Sequence, residues 1–345
     1  MRKPGAGVQK PRQSLRRLLL LALMAWVPLW AGAQSMRYER IDFVGMGNSL
    51  AGINDHGMII GSFTAYDLKD VPQPAGVCIL LAAGQDCGPV AHAFIYAQGK
   101  FTMVKVPNGV ALRLVAINNH DQILLTGGAD RWFIYDIAKK EFRPIGMTGR
   151  LPSDAGVKPF RIRNLKSLND KGEILAVAGG GRFVFGTPTL GPPGSLTPPT
   201  ELGEFTLMPN CPGGRAEATG LNAQDQVSGT CYLSKPNADQ AWFTGFVYRD
   251  GAFQTFSRPL ARTTYATAIN NRGVVTGYYQ LQHANQELGF IYDGSKFTEV
   301  PVTLRHDGQL PGFAQPLGIN DHGQIVGNIP GSADGFLATP KSGGD

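Results

Sequence analysis

The stretch Gly318-Ile319-Asn320-Asp321-His322-Gly323 decides the fold, because the chain repeats it. Another copy, Gly52-Ile53-Asn54-Asp55-His56-Gly57, stands near the other end, and looser copies lie between the two. Each copy has Ile or Leu before Asn, a short turn after it, and then another short apolar strand. Periods of about 50 residues built from short strands indicate a radial array of β-sheets. The copies are centred on Asn54, Asn118, Asn169, Asn222, Asn270 and Asn320, at intervals of 48 to 64 residues.

A second phrase, centred on an aromatic residue in a short apolar strand, follows each copy of the first. A tight turn and one more strand usually come next, as at Gly99-Lys100-Phe101. Each repeat therefore supplies four short strands, and the sequence predicts an all-β fold, a six-bladed β-propeller of four-stranded blades. The aromatic phrases are Ala93-Phe94-Ile95-Tyr96, Trp132-Phe133-Ile134-Tyr135, Arg182-Phe183-Val184-Phe185, Gly245-Phe246-Val247-Tyr248, Gly289-Phe290-Ile291-Tyr292 and Gly335-Phe336-Leu337-Ala338.

The Asn phrase has the composition of a tight hairpin turn. Asn can hydrogen-bond back to the backbone, and Gly adopts the left-handed conformation that such a turn requires. Asp121 and Asp225 stand in place of Gly in the second and fourth copies. Asp tolerates the left-handed region at some cost, so we expect the same turn there.

The last repeat stops near Pro340, before a fourth strand. An unassigned strand, residues 37–44, follows the N-terminal apolar segment and could complete that last blade. This pairing would join the two ends of the chain in one sheet and leave no sheet edge bare. The alternative is an open β-solenoid, in which the terminal sheet would lack a strand.

The N-terminus predicts export. Arg16 and Arg17 precede an apolar run, residues 18–30, and Ala31-Gly32-Ala33 offers small residues before a cleavage point. A basic flank, a short apolar stretch and a small-x-small end are typical of a secretory signal. We therefore predict a signal peptide, residues 1–33, and a single propeller domain, residues 34–345, in the periplasm or the medium. An uncleaved anchor is the alternative.

Removing residues 1–33 removes six basic and no acidic side chains, which leaves 32 − 6 = 26 basic against 26 acidic residues. A net charge of zero does not favour nucleic-acid binding, which usually needs a basic face. No second long apolar run follows, so no membrane span is expected in the remaining chain. The sequence also lacks the common nucleophile, zinc-protease and phosphate-loop motifs. It indicates no cofactor.

Four cysteines allow three disulfide pairings, and export favours their oxidation. We predict Cys78–Cys87, within one loop, and Cys211–Cys231. In the second pair, Cys211 ends a connection just before an inner strand and Cys231 lies on the neighbouring antiparallel strand. Zinc binding is only weakly indicated because no Cys-x-x-Cys is present.

These phrases resemble the HAF repeats of exported bacterial proteins. The triplet His92-Ala93-Phe94, followed by Tyr96 and Gly99, matches the repeat's name, and Gly318–Gly327 matches its Asn signature. Only one repeat keeps the full triplet. The resemblance covers nearly all of residues 34–345 and implies export and a repeated β fold. It implies no agreed activity and therefore no catalytic residues.

Loop lengths indicate where a site would lie. With strands A to D numbered outward from the axis, the B–C and D–A connections share one face, which we call the loop face. The A–B and C–D turns share the opposite face, the turn face. Most long connections are on the loop face, and function commonly sits on loops held by rigid sheets. Long surface insertions without function are the alternative. The candidate ligand contacts on the loop face are Tyr66, Asp67, Arg113, Trp242, Tyr278, Tyr279, His283, Arg305, His306 and Asp307.

Three histidines, His56, His120 and His322, share one turn position. Equivalent turns of neighbouring blades are too far apart to share an ion, so we expect exposed residues and no metal site. We therefore predict a non-catalytic binding or interaction module with a glycan or another exported protein as ligand. The alternatives are a propeller-type hydrolase or lyase acting on polysaccharide, and a structural envelope or matrix protein.

Overall fold

The computed structural model describes residues 36–41, 46–65, 90–104, 112–127, 131–146, 148–150, 160–233, 242–282, 286–301, 314–330 and 335–341. These residues form β-strands and one 3-10 turn, Gly179–Gly181, so this part of the chain is all-β as predicted. Within these ranges there is no helix with the length and apolar character needed to cross a bilayer. The predicted signal, residues 1–33, and the predicted pair Cys78–Cys87 lie outside the described residues.

The strands pair into antiparallel sheets, which we number 1 to 6 by the Asn repeat that each contains. The first strand, β1 (Met36–Ile41), pairs with the last strands of the chain. Sheet 1 comprises β2 (Met46–Ile53), β3 (Ile59–Ala65), β4 (Val90–Ala97) and β5 (Lys100–Met103). Sheet 2 comprises β6 (Leu112–Ile117), β7 (Gln122–Gly127), β8 (Arg131–Asp136) and β9 (Glu141–Pro144).

Sheet 3 contains five strands, one more than the sequence predicts: β10 (Thr148–Arg150), β11 (Phe160–Leu168), β12 (Ile174–Ala178), β13 (Phe183–Pro188) and β14 (Glu201–Leu207). The short strand β10 lies outside the four strands that the repeat pattern predicts for this sheet. It pairs with both β11 and β14 and closes the sheet on itself. The hydroxyl of Thr148 donates to the carbonyl of Thr200, 2.6 Å away, which holds β10 beside β14.

Sheets 4 and 5 are joined. Sheet 4 comprises β15 (Gly214–Leu221), β16 (Val227–Leu233), β17 (Phe243–Arg249) and β18 (Ala252–Phe256). Sheet 5 comprises β19 (Ala261–Ile269), β20 (Val275–Leu281), β21 (Glu287–Tyr292) and β22 (Phe297–Val300). A parallel bridge between Phe243 and Thr263 links β17 to β19. The two sheets therefore form one eight-stranded unit.

Sheet 6 contains β23 (Gln315–Ile319), β24 (Ile325–Asn328) and β25 (Gly335–Pro340), with β1 at its outer edge. β1 runs antiparallel to β25 from Met36 opposite Pro340 to Ile41 opposite Gly335. β1 is therefore the edge strand beside β25.

The hydrophobic core lies between neighbouring sheets. One cluster, for example, combines Ile60 and Ile95 of sheet 1 with Leu114, Leu125 and Phe133 of sheet 2. This arrangement explains why the second strands are apolar on both faces, since each sheet is packed on two sides.

A glycine on the second strand makes room for the aromatic residue of the third strand. Gly61 pairs with Phe94, and a Cβ atom on Gly61 would lie 2.6 Å from Cζ of Phe94. The same close fit occurs in sheets 4, 5 and 6. The glycine that ends the Asn phrase and the aromatic residue of the second phrase are therefore two halves of one packing unit. The other pairs are Gly229–Phe246, Gly277–Phe290 and Gly327–Phe336.

The alignment of the third aromatic phrase is wrong by one residue. The sequence places Phe183 at the position of Phe94, but Val184 pairs with Ala176, the equivalent of Gly61. Ala176 leaves less space than glycine, and the smaller Val184 fills it. The tight 3-10 connection at Gly179–Gly181 allows this register by shortening the link between β12 and β13.

The connection between β13 and β14 packs along the outer strand of sheet 2. The amides of Gly191 and Gly194 donate to the carbonyls of Pro144 and Phe142, each at 2.8 Å. This segment therefore covers the free edge of β9, which protects an edge strand from pairing with other chains.

The repeat Asn residues join the inner strands. Each Asn is buried, and its Nδ2 donates to the main-chain carbonyl of the Asn in the next sheet at 3.0 to 3.2 Å. The sixth bond runs from Asn320 back to the carbonyl of Asn54. Each Oδ1 accepts main-chain amides of its own turn, as Asn54 does from Met58. The predicted turn is confirmed, and Asp121 and Asp225 adopt φ values of 57° and 59° in it.

Candidate functional site

Residues of all six inner strands line two cavities along a common axis. The cavity on the turn face has a volume of about 360 Å3 and is lined by five of the six repeat Asn residues, all except Asn54, and by most of the residues that follow the repeat Asn. The second, about 520 Å3, lies further along the inner strands and includes Lys166, Thr219 and Thr267. We call the end of this channel at which the inner strands begin the mouth.

At the turn face, the polar side chains that follow the repeat Asn form hydrogen bonds with one another. The amide nitrogen of Asn119 bridges Asp55 and Asp170 at 2.8 and 3.0 Å. Asn271 bridges Asp170 and Asp321 at 2.7 and 3.0 Å. These bonds tie sheets on both sides of the axis, so this end of the channel is held by its own side chains. Among the described residues, no group of three or more His, Cys, Asp or Glu has the geometry of a metal site.

The three turn histidines are exposed, as expected. His56 Nδ1 lies 2.8 Å from Asp121 Oδ1 of the next turn. This hydrogen bond, with the charge of Asp121, raises the pKa of His56. The contact is between neighbouring turns at the surface and does not extend into the channel.

At the mouth, the fifth residue before each repeat Asn occupies an equivalent place. All six pair with the residue that follows the Gly61 position on the second strand. These six positions are polar or aromatic, whereas the next residue along each strand is buried. The mouth is thus lined by side chains that are free to differ between repeats: Ser49, Arg113, Asn164, Glu217, Tyr265 and Gln315.

Four half-buried aromatic residues gather at the mouth where sheets 4 and 5 meet. Tyr232 and Phe243 have ring centroids 4.6 Å apart, and Phe243 lies 5.5 Å from Tyr265. Tyr265 stacks on Tyr278 at 4.9 Å. We call Tyr232, Phe243, Tyr265 and Tyr278 the mouth cluster. The bridge between Phe243 and Thr263 fixes the two sheets at this level.

Two carboxylates flank the mouth cluster. Glu217 accepts a 2.6 Å hydrogen bond from the Tyr232 hydroxyl and lies 3.5 Å from the Lys166 ammonium. Glu287 is bonded to the side-chain amide of Gln315. Both carboxylates are close enough to Tyr265 to raise its pKa, in addition to the effect of burial.

Burial, aided by Glu287, raises the pKa of Tyr278 to about 12. Burial and the bond to Glu217 also raise the pKa of Tyr232. These phenols therefore stay protonated at neutral pH and act as hydrogen-bond donors.

The rim of the mouth carries Trp242, whose side chain is 57% exposed. Its main-chain amide donates to the carbonyl of Arg262, and its own carbonyl accepts from Leu233. The backbone at Trp242 is thus held between sheets 4 and 5 while the indole faces solvent. Leu260, 84% exposed with φ of 64°, lies two residues before Arg262.

Three predicted contacts lie at the mouth, and one lies elsewhere. Arg113, Trp242 and Tyr278 are at the mouth, although on different sheets. Tyr279 is 1% exposed and donates its hydroxyl to Glu299 in the core between strands. Consecutive strand residues point to opposite faces, so Tyr278 and Tyr279 cannot both serve the mouth. The remaining candidates, Tyr66, Asp67, His283, Arg305, His306 and Asp307, lie outside the described residues.

Sequence reasoning missed Glu217, Tyr232, Tyr265 and Glu287. A usable signal existed for two of them, because Glu217 and Tyr265 stand five residues before a repeat Asn. Loop length, in contrast, indicates only the connections and not the first residues of the inner strands. Tyr232 and Glu287 are recognised only once the strand pairing is known.

Cys211 and Cys231 lie at disulfide distance, with Cα atoms 6.0 Å apart, as the sequence predicts. Cys231 immediately precedes Tyr232 of the mouth cluster. The bridge ties the connection before β15 to β16, and it therefore braces the side of the mouth that carries Tyr232.

No protein-family model matches the chain, and no curated protein is significantly similar to it. Solved structures that resemble it include the β-propeller domain of the Trilobed protease from Pyrococcus furiosus, at 12% identity and a TM-score of 0.43, covering 88% of this chain and 85% of that one. The β-propeller domain of Cps50 (Swd1) from Myceliophteria thermophila gives 7% and 0.45, over 89% and 100%. TolB from Acinetobacter baumannii gives 10% and 0.43, over 73% and 60%. Since all three scores are below 0.5, the account of the fold rests on the chain's own strand pairing.

Proposed function

We propose that this protein is an exported, non-catalytic binding module whose ligand site is the mouth of a six-bladed propeller. In this proposal residues 1–33 are removed as a signal, and the HAF-like repeats form six blades around the channel. The sixth blade is completed by β1. Two observations support ring closure: the pairing of β1 with β25, and the cycle of six Asn bonds that returns to Asn54.

The mouth cluster is the proposed ligand-binding surface. It joins half-buried aromatic faces to phenol donors and to the carboxylates of Glu217 and Glu287. Aromatic faces stack on the apolar faces of sugar rings, while carboxylates accept hydrogen bonds from hydroxyl groups. The same groups also suit a polar peptide, but the flanking carboxylates favour a ligand rich in hydroxyls. A glycan is therefore the proposed ligand.

The equivalent positions in the other sheets support a binding role. Ser49, Arg113, Asn164 and Gln315 occupy the same level as Glu217 and Tyr265 but share no common chemistry. The turn Asn is the same in every repeat and holds the sheets together. The mouth residues differ between repeats and are therefore available for contact with a ligand. Such separation of roles is the usual arrangement in which rigid elements present a variable site.

The test is a glycan array probed with the purified full-length chain and with Tyr278→Ala. We expect the wild type to bind a defined subset of glycans and Tyr278→Ala to lose about fivefold or more in affinity for them, because a stacked ring contributes about 1 kcal/mol or more. The matched control is Tyr292→Ala, which alters a half-buried tyrosine at the other end of sheet 5. Equal loss in both variants, or binding unaffected by Tyr278→Ala, would count against the mouth as the site.

A further inference from the structure

Four arginines form an arc at the mouth. Each lies in the first part of an inner strand, on β6, β11, β15 and β19 of four neighbouring sheets, and each is exposed. The residues are Arg113, Arg163, Arg215 and Arg262. We call them the arginine arc. The described inner strands therefore present four exposed basic groups on the mouth side of four neighbouring sheets.

The guanidinium groups of the arc are not neutralised by the described residues. The ion pairs in that part of the chain use other basic groups: His56, Lys139, Lys166, Lys171 and Arg258. Arg215 lies over the Tyr232 ring at 5.7 Å, and Arg262 donates to the amide oxygen of Gln280 at 3.0 Å. Both partners are uncharged, so they position the cations without compensating them.

The arc is continuous with the mouth cluster. Arg215 contacts a cluster tyrosine directly, and the positive charge of Arg262 acts on Tyr265. Arg113 and Arg163 carry the positive charge across the next two sheets. A small ligand with one negative charge would use only one end of this arc. An extended ligand with charges at intervals would use several arginines at once.

We infer that the ligand of the mouth is an anionic polysaccharide, a chain of uronic acid residues. This inference rests on the proposed function and adds the ligand class. Arginine forms bidentate hydrogen bonds to carboxylates, which suits the acid group of each sugar. The aromatic rings and the carboxylates of Glu217 and Glu287 suit the sugar face and its hydroxyls.

Two other polyanions fit the arrangement less well. A single strand of DNA carries a phosphate at every residue but has no free sugar hydroxyl along the chain to donate to Glu217 and Glu287. An acidic peptide would supply carboxylates to the arc but few hydroxyl groups to the two glutamates. A polymer that carries both carboxylates and hydroxyls satisfies the arginines and the glutamates together.

The experiment compares two forms of one ligand. The full-length chain is titrated by calorimetry with hexagalacturonate and with the same hexamer in its methyl-esterified, neutral form. We expect the acid form to bind at least about tenfold more tightly at low salt, because esterification removes the charge that pairs with arginine. We expect that advantage to shrink as salt is raised to about 0.2 M, because exposed charges are screened.

Variants locate the effect. Arg215→Gln and Arg262→Gln are each expected to weaken hexagalacturonate binding by about fivefold or more. Arg249→Gln, an exposed arginine at the turn between β17 and β18, is the matched control and should leave affinity unchanged. Failure of both arc variants to alter affinity would overturn the inference, as would the absence of hexagalacturonate binding.

The outcomes separate this inference from the proposed function. If acid and esterified hexamers bind equally and Tyr278→Ala still abolishes binding, the mouth is a glycan site but its ligand is not anionic. If hexaglutamate or a single-stranded DNA hexamer binds as tightly as hexagalacturonate, the polysaccharide class is wrong. A preference for hexagalacturonate over both, lost in the arc variants, supports the inference.

Discussion

At the scale of single residues, the repeat Asn is effective because its side chain serves two turns at once. Its Oδ1 accepts amides of its own turn, and its Nδ2 donates to the carbonyl of the next. Asp could not donate, and Gln would place the amide one bond further out. Because the Asn side chain and its bond to the next carbonyl are buried, leaving these two groups unpaired would cost about 1 to 3 kcal/mol. The residue is thus required by backbone hydrogen bonding and not by contact with a ligand.

Asn222→Ala tests this account. The substitution removes a donor to the carbonyl of Asn270 and an acceptor for the amides of Gln224 and Gln226. We expect the free energy of unfolding to fall by about 3 kcal/mol, since several buried polar groups lose their partners. The measurement is urea-induced unfolding. Gln224→Ala, at an exposed turn position, should change it by no more than about 0.5 kcal/mol. A small effect of Asn222→Ala would show that water replaces the side chain.

Residue-scale prediction succeeded where chemistry is repeated and failed where it is not. The turn Asn and the left-handed Asp121 and Asp225 follow from rules that apply to any tight turn. Tyr278 was identified as a mouth residue, but its neighbour Tyr279 was included with it. Strand alternation excludes one of two adjacent residues, yet the sequence alone does not say which face of this strand is buried.

At the scale of elements, the contact between Gly61 and Phe94 shows how the sizes of two paired residues on neighbouring strands are matched. Sheet 3 has Ala176 opposite Val184, so a larger residue on one strand accompanies a smaller one on the other. Sheet 2 departs from this rule, with Leu125 opposite Phe133.

A double-mutant cycle at Gly61 and Phe94 tests the matching. Gly61→Ala is expected to cost about 1 to 3 kcal/mol, because the new Cβ would lie 2.6 Å from the Phe94 ring and 2.8 Å from the main-chain oxygen of Ser49. Phe94→Val is also destabilising, because it leaves a cavity. The double variant has the Ala–Val combination found in sheet 3. Its loss of stability should be smaller than the sum of the losses of the two single variants by about 1 kcal/mol or more. The free energies come from urea unfolding, and Gly61→Ala with Ile134→Val, in a different cluster, should be additive. Additivity at Gly61 and Phe94 would contradict the size-matching account.

The elements that sequence did not predict depend on contacts between repeats. The strand β10, the bridge between Phe243 and Thr263, and the packing of Gly191 and Gly194 along β9 all join segments of different sheets. Periodicity predicts the strands inside one repeat, because each repeat resembles the others. Periodicity carries no information about an insertion that occurs once. These three features are therefore seen only in the folded structure.

At the scale of the whole molecule, the first and last sheets of the array, sheets 1 and 6, share a core cluster. Ile41 of β1 belongs to the same core cluster as Leu50 and Phe63 of sheet 1 and Val326 of sheet 6. The amide of Leu50 donates to the side chain of Asn328 at 3.0 Å, and the Tyr96 hydroxyl donates to Glu39 of β1 at 2.7 Å. Sheets 6 and 1 are therefore coupled through β1 as well as through the inner strands.

Removal of β1 tests ring closure. A chain that begins at residue 42 lacks the strand, whereas a control that begins at residue 34 retains it. In a closed ring, loss of β1 exposes the edge of β25 and weakens the cluster shared with sheet 1. We therefore expect faster amide hydrogen exchange in both β23–β25 and β2–β3, because local stability depends on the buried contacts of each unit.

The same experiment distinguishes a ring from an open array. In a solenoid, β1 would support only the sheet that it extends, and the change would be confined to β23–β25. A synthetic peptide of residues 34–44 should restore protection to the shortened ring by adding back an edge strand. The peptide adds its strand to sheet 6. If it also restores protection from hydrogen exchange in sheet 1, the two sheets support each other and the array is closed. Exchange unchanged in β2–β3 after removal of β1 would contradict closure, and the mouth would then be an open groove instead of the end of a channel.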